Sequence, residues 1–292
     1  MQVISKRMQK LGTIWRTAWT YFTQWLMDPR ILLVGVLCIF SKTMVSDALI
    51  SRASEYGAPL HFFEPFIAMG NSGVLVMFFP FVFLILISDF PVINPSTLFI
   101  LKRTGRSSWL FSQSLLLCMN VITFLLVMLL FSCSSVLGHA EWSDAWSNVT
   151  TKYESAFSET ASSFVSQYLP SNLYNQLMIY EAMTHTLLLL ALYLFLLGMI
   201  LMLFKLLAMR TAGIFSAIAI IGIGTAACAV NTPAMWAFPM ANSIIWEHYD
   251  QIASEPIYPL WASYFYFVVG ILALMIASHI IINRANVVGL EA

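Results

Sequence analysis

Charge is the first scarcity. Only 10% of the 292 residues are Asp, Glu, Lys or Arg and 60% are hydrophobic, against about 25% and about 45–50% in soluble globular domains. A soluble fold of that composition would lack the polar surface needed to stay dissolved, so the chain belongs in a membrane. Net charge is also missing, because 14 Lys and Arg balance 14 Asp and Glu. That excludes the basic footprint of a nucleic-acid binder and the acidic bias of a disordered tail. No Gly-Lys dipeptide occurs, so no Gly-x-x-x-x-Gly-Lys-Ser/Thr phosphate loop can exist here. Gly-x-Ser-x-Gly and His-Glu-x-x-His are absent too, which speaks against a stand-alone ATP-driven pump and against familiar hydrolases. No enzymatic activity and no bound cofactor are expected. Cys38, Cys118, Cys133 and Cys228 all lie in apolar runs, where a thiol acts as a small hydrophobe. They suggest no disulfide framework, although Cys133 and Cys228, near the ends of their runs, could pair if adjacent on an oxidising face.

What is abundant is long apolar sequence. Runs at about 31–50, 73–90, 109–137, 182–207, 212–230 and 260–282 are each long enough to cross or nearly cross a bilayer. Val74–Ile87 and Leu187–Leu197 are apolar on all sides, which excludes the alternation of a β-barrel strand. The expected fold is therefore an all-α polytopic membrane protein with six spans in one domain, 31–292.

The zero net charge hides an asymmetry. Lys6, Arg7, Lys10, Arg16, Arg30, Lys102, Arg103, Arg106, Lys205, Arg210 and Arg284 fall on one face of a six-span arrangement. Only Lys42, Arg52 and Lys152 fall on the other, and the acids divide the opposite way, with Asp28, Asp89 and Glu291 alone on the cation-rich face. The positive-inside rule makes that face, and both termini, cytoplasmic in a multi-pass protein of the cell membrane.

Three segments outside the spans carry pattern. In residues 1–30, Leu11, Trp15, Trp19, Phe22 and Leu26 recur at helical spacing beside Lys6 and Lys10, predicting an amphipathic helix anchored in the interface by Trp15, Trp19 and Phe22 until Asp28-Pro29 turns the chain. In the outer insertion 139–180, Trp142, Trp146, Tyr153, Phe157, Phe164 and Tyr168 recur at a near-helical mean and predict one aromatic stripe. Residues 231–259 are too apolar for a free loop and are punctuated by Pro233, Pro239, Pro256 and Pro259, which fits re-entrant or surface-lying helices.

Titratable residues at the span ends are the candidates for function. His61 with Glu64, His139 with Glu141, His185 with Glu181 and His248 with Glu247 give four local pairs on the outer face. Of these, Glu64, Glu181, His185, Glu247 and His248 are the polar candidates at an outer mouth. Spacing alone brings no three of them together, so no metal site is expected. Lys42 and Asp47, five apart, are not an ideal helical pair and are expected to reach separately for the surface. Asp89 ends the second span, where an acid opposes the helix dipole and needs a cation; Arg103 and Arg106 in the same loop are the nearest.

Glu64-Pro65-Phe66-Ile67-Ala68, Asn71-Ser72, Ser88-Asp89-Phe90-Pro91 and Arg103-Thr104-Gly105-Arg106, followed by Trp109-Leu110 and Gln113, resemble the permease subunits of bacterial type-2 ATP-binding-cassette exporters, in a poorly characterised Gram-positive branch. The motifs cover residues 60–113, and the rest of the likeness is architectural. The resemblance implies an interfacial helix leading into six spans, re-entrant helices before the last span, and a cytoplasmic helix after the second span that docks a separate ATPase. That role would fall on Asp89, Pro91, Pro95, Lys102, Arg103 and Arg106. It also implies a second permease copy as partner and an amphipathic peptide, lipid or drug-like substrate, with ATP entering only through the ATPase. Gly213, Ala217, Gly224 and Cys228 on the fifth span would let helices approach closely at or near a subunit contact. The rival reading is a non-transporting immunity or sensor protein acting through residues 139–180.

Overall fold

The computed structural model describes residues 2–93, 95–156, 168–250 and 256–284. It is an all-α polytopic architecture, with five helices long and apolar enough to cross a membrane and a sixth crossing available in a bent pair.

Helix α1 (Gln2–Leu26) is followed by a short turn of helix at Pro29–Ile31, which Asp28 caps by accepting from the Arg30 N–H at 2.9 Å. The first crossing runs from Pro29 to Tyr56. It comprises α2 (Leu32–Ser41), a π-helical turn at Lys42–Ser46 and α3 (Asp47–Tyr56), stopped by Gly57 in the left-handed conformation at φ 73°. The π turn answers the Lys42–Asp47 spacing. Lengthening the backbone hydrogen-bonded step from four residues to five makes residues five apart neighbours, and the two side chains form an ion pair at 2.6 Å rather than reaching separately for the surface.

The second crossing is broken. Helices α4 (Glu64–Asn71) and α5 (Gly73–Leu86) meet at 82°. Ser72 is the reason: its extended backbone ends α4, and its hydroxyl then accepts from the Leu75 N–H to start α5. With 14 residues, α5 is about 21 Å long, short of a full hydrocarbon core of about 30 Å. It ends at Leu86, four residues before the expected boundary. Every residue of α4 is buried, so the break is shielded by protein, as backbone interrupted at membrane depth must be.

Then come α6 (Pro95–Thr104), α7 (Arg106–Ser135), α8 (Asn148–Ala156), α9 (Ser171–Tyr174), α10 (Ile179–Leu206) and α11 (Arg210–Ala229). Short helices at Pro233–Ala237, α12 (Pro239–Ser243) and Trp246–His248 precede α13 (Leu260–Arg284). Strands β1 (Leu60–His61) and β2 (Ala140–Glu141) form one two-residue parallel pair. Helix α10 is the axis, packing on α13, α11, α7, α4, α5 and α12. Gly198 allows its approach to α7, since a Cβ there would sit 2.4 Å from Leu117.

Two sequence expectations change. Ala18, Tyr21 and Phe22 of α1 are buried and α1 packs along α7, so Phe22 is a core residue, while Trp15 and Trp19 stay about half exposed as an interfacial anchor requires. Residues 142–147 are not helical, so the outer aromatics do not form one stripe. Trp142 packs on His61, Phe62 and Phe63, Trp146 donates to the Leu177 carbonyl at 2.8 Å, and Tyr153 donates to Glu55 at 2.6 Å. Phe157 and Phe164 lie outside the described residues.

Candidate functional site

The bundle has a basic end and an acidic end, and each gathers residues distant in the chain. At the basic end, Asp89 follows α5 in a turn and is held by two arginines. Arg30 approaches one carboxylate oxygen at 2.6 Å, Arg210 takes the other, and Lys205 donates to the Asp89 carbonyl at 2.6 Å. Burial pushes the Asp89 carboxyl up, but the Arg30 hydrogen bond and the charges of Arg30, Arg210 and Lys205 outweigh it and hold it below the usual range. Arg30 also donates to the Ser88 hydroxyl at 2.8 Å. The expected partners Arg103 and Arg106 are elsewhere. Arg106 opens α7 and donates to the Ile282 and Asn283 carbonyls of α13 at 2.9 and 2.7 Å. Arg103 is exposed on α6, one turn after Phe99, which is 74% exposed. Pro91 is buried after Phe90, and Pro95 begins α6; the side chains of Pro95 and Lys102 lie outside the described residues.

At the acidic end the polar groups are buried and joined mostly by neutral bonds. Asn71, at the break in the second crossing, is fully buried. Its amide donates to the Ile67 carbonyl and the Thr186 hydroxyl, and its oxygen accepts from the Ile245 N–H at 2.8 Å. The Trp246 indole donates to the Asn71 carbonyl at 2.8 Å. One residue thus fixes α4, α10 and the segment before α13 together. Glu64 starts α4 and is fully buried; it accepts from the His61 N–H, the Ser147 N–H and the Ser147 hydroxyl. His61 accepts from the Phe63 N–H at Nδ1, which leaves the ring proton at Nε2 to donate to the Ser143 carbonyl at 2.9 Å. Burial pushes the His61 imidazole below its ordinary range.

His248 is wholly buried, meeting the Ile244 carbonyl at Nδ1 and the Ser263 hydroxyl at Nε2; Ser263 in turn donates to Asn242. Burial pushes its imidazole down to about 4, so it is neutral at physiological pH. Glu181 is exposed and accepts from the Met178 N–H at the start of α10, while His185 meets the Tyr264 hydroxyl at 2.7 Å. These outer-mouth candidates therefore split between structural bonds and the surface.

Glu247 is the exception. Its carboxylate accepts no hydrogen bond among the described residues, and burial pushes it up to about 7. Glu247 and Trp246 line two cavities at once. One, of about 510 Å³, is mainly apolar, with Val74 and Met77 of α5, Cys228 and Ala229 of α11, Met240, Ile244 and Tyr168 in its wall. The other, of about 550 Å³, is more polar and is walled by Asn172, Asn231, Thr232, Tyr249 and Asp250.

Among the described residues, no three His, Cys, Asp or Glu side chains gather as a metal site, and Cys38, Cys118, Cys133 and Cys228 are all free. Gly213, Ala217 and Gly224 face inward: a Cβ on Gly213 would stand 2.7 Å from Phe204, and one on Gly224 3.1 Å from Phe238. They serve contacts within the chain, and the outward face of α11 is bulky, with Phe215, Ile218 and Ile223. Sequence reading missed Phe99 as Arg103's neighbour, although the four-residue spacing was there to find. It also missed Arg30 and Arg210 as partners of Asp89, which no local signal marks. No protein-family model, no curated protein and no solved structure matches this chain.

Proposed function

We propose that the chain is the membrane-spanning permease subunit of an ATP-binding-cassette exporter. In this reading the basic end is cytoplasmic, both termini lie there, a second permease copy completes the pathway, and a separate ATPase docks on α6. An amphipathic peptide, lipid or drug-like compound moves outward through the cell membrane.

The observation that carries the reading is the setting of α6. It presents an exposed Phe99 and Arg103 one turn apart, an aromatic and a guanidinium of the kind that anchor protein interfaces. The loop leading into it is tied by Asp89 to Arg30, Lys205 and Arg210, that is, to the first, fourth and fifth crossings. Arg106, just after it, is tied to the end of the sixth. A force applied to α6 by a soluble partner therefore reaches four crossings through directed bonds, as a rigid-body transmission requires. The exposed row Trp261, Phe265, Leu272, Ile276 and Ile280 on α13 offers a bulky apolar face to lipid or to the second copy.

The test is co-purification in mild detergent of a subunit that hydrolyses ATP. The wild-type chain should carry it, and the pair Phe99→Ser, Arg103→Glu should lose at least nine-tenths of it while keeping the same elution volume. A wild-type chain that brings no nucleotide-hydrolysing subunit under several detergents would overturn the reading.

A further inference from the structure

We infer that the cavity beside Glu247 is a binding site for a lipophilic organic monocation. The inference names the substrate class of the proposed exporter and rests on that reading for its transport meaning; the binding itself needs only this chain.

Three observations converge. The first is the unmet carboxylate. Three other acids at this end have donors: Glu64 takes three, Glu181 takes the Met178 N–H and Glu55 takes the Tyr153 hydroxyl. Glu247 has none among the described residues, and a charge at the edge of an apolar region without a partner is costly and is characteristically kept for a ligand or an ion. The second is the wall. Val74, Met77, Cys228, Ala229, Met240 and Ile244 line the mainly apolar cavity of about 510 Å³, and the volume falls in the range of small-molecule sites. Methionine side chains adapt to varied shapes, and Trp246 and Tyr168 add aromatic faces that attract cations. The third is position. Glu247 stands on the wall common to the apolar cavity and the polar one, so a molecule with an apolar body and one positive centre has each part matched.

Rigid support makes this a built site. Asn71 fixes Ile245 and Trp246, and His248 is fixed on the other side by Ile244 and Ser263. Glu247 is therefore held between two anchored neighbours, with the nearby α5 N-terminus set by Ser72.

Ionised Glu247 is the form that attracts the cation, so binding should strengthen as pH rises through about 7. The other titratable groups around it are Tyr168 and Cys228 on the apolar side, Tyr249 and Asp250 on the polar side, and His248 behind it. Burial pushes Tyr168 up to about 12, raises Tyr249 and keeps His248 neutral.

The probe is tetraphenylphosphonium, with tetraphenylborate as the anion of the same shape, measured by equilibrium dialysis on the purified chain in phosphatidylcholine nanodiscs without any ATPase. The wild-type chain should bind the cation saturably and the anion at least tenfold more weakly, with cation affinity rising between pH 6 and pH 8. Glu247→Gln should lose at least tenfold in cation affinity, together with the pH dependence. Ala229→Trp, which fills the cavity and keeps the carboxylate, should lose binding too. Cation affinity unchanged in either variant, equal uptake of the anion, or no saturable binding would overturn the site. Each of these results leaves docking on α6 standing, and a failed ATPase capture leaves this binding standing.

Discussion

The two ends of the bundle solve the same problem in opposite ways. At the basic end charges satisfy charges in the open: Arg30, Asp89 and Arg210 keep side-chain exposures of 37%, 46% and 52%. At the acidic end the polar side chains of Asn71, Glu64 and His248 are completely buried, and most of their bonds run to backbone groups or hydroxyls. Exposed ion pairs are individually weak and tolerate rearrangement, whereas buried groups that lose a partner are costly. The basic end is therefore suited to being pushed. The acidic end is suited to holding one carboxylate in a fixed place.

The hardest blow to that difference falls at the break in the second crossing. A Cβ on Gly70 would lie 2.2 Å from a Thr186 methyl and 3.0 Å from Leu190, so Gly70→Ala must displace Thr186, which is hydrogen-bonded to Asn71, or move α4 off α10. Overpacking of this kind costs about 1–3 kcal/mol. Asn71→Ala leaves the buried Ile245 N–H without its acceptor, at about 1–3 kcal/mol, and also removes the bond to the Thr186 hydroxyl, while the backbone carbonyl that holds Trp246 is kept. The pair, tested by thermal unfolding in detergent and by tetraphenylphosphonium binding, should lower both stability and cation affinity. Undiminished binding in Asn71→Ala would separate the Glu247 cavity from the anchor assigned to it.

How much of this could be read from the chain follows the same division. The apolar runs near 109–137, 182–207, 212–230 and 260–282 became helices within about three residues of those limits, because a continuous run of bilayer length leaves the backbone no partner except itself. The break at Ser72 was hidden by its apolar flanks, although Ser72-Gly73 is a helix-start pair. Lys42–Asp47 was misjudged because spacing rules assume an α-helix, and a π turn changes the spacing. Asp89 was expected to choose partners from its own loop. The fold instead carries Arg103 to the surface of α6 and commits Arg106 to α13. Glu247 looked no different from Glu181 or Glu64 until the cavities on both sides of it were in view.

A smaller effect is expected at the basic end. Asp89→Ala removes two exposed ion pairs, each worth about 0.2–1 kcal/mol, and the loss should shrink further in molar salt. Because the same node links α6 to the crossings, the variant should keep its melting temperature within a few degrees while weakening the ATP-dependent flux of the proposed exporter. A melting loss as large as that of Gly70→Ala would show that the basic end is a structural core after all.

The finest distinction between the ends is their response to acid. Asp89 is held below the ordinary 3.8 of an aspartate, so its stabilising contribution is complete above that pH and is lost only as pH falls through the folded value. Glu247 is raised from 4.5 to about 7, so the folded chain prefers it protonated, and its ionisation weakens the fold progressively as pH rises between those values. Acidifying from pH 7 to pH 5 should therefore raise the melting temperature slightly through the acidic end and leave the Asp89 node unchanged; going below pH 4 should loosen the node. Glu247→Gln should remove the first response and keep the second, and Asp89→Asn should do the reverse. Both groups are partly exposed, so each shift amounts to a few degrees at most. If Glu247→Gln melts with the same pH slope as the wild-type chain between pH 5 and pH 7, burial does not raise the Glu247 carboxyl in the folded chain.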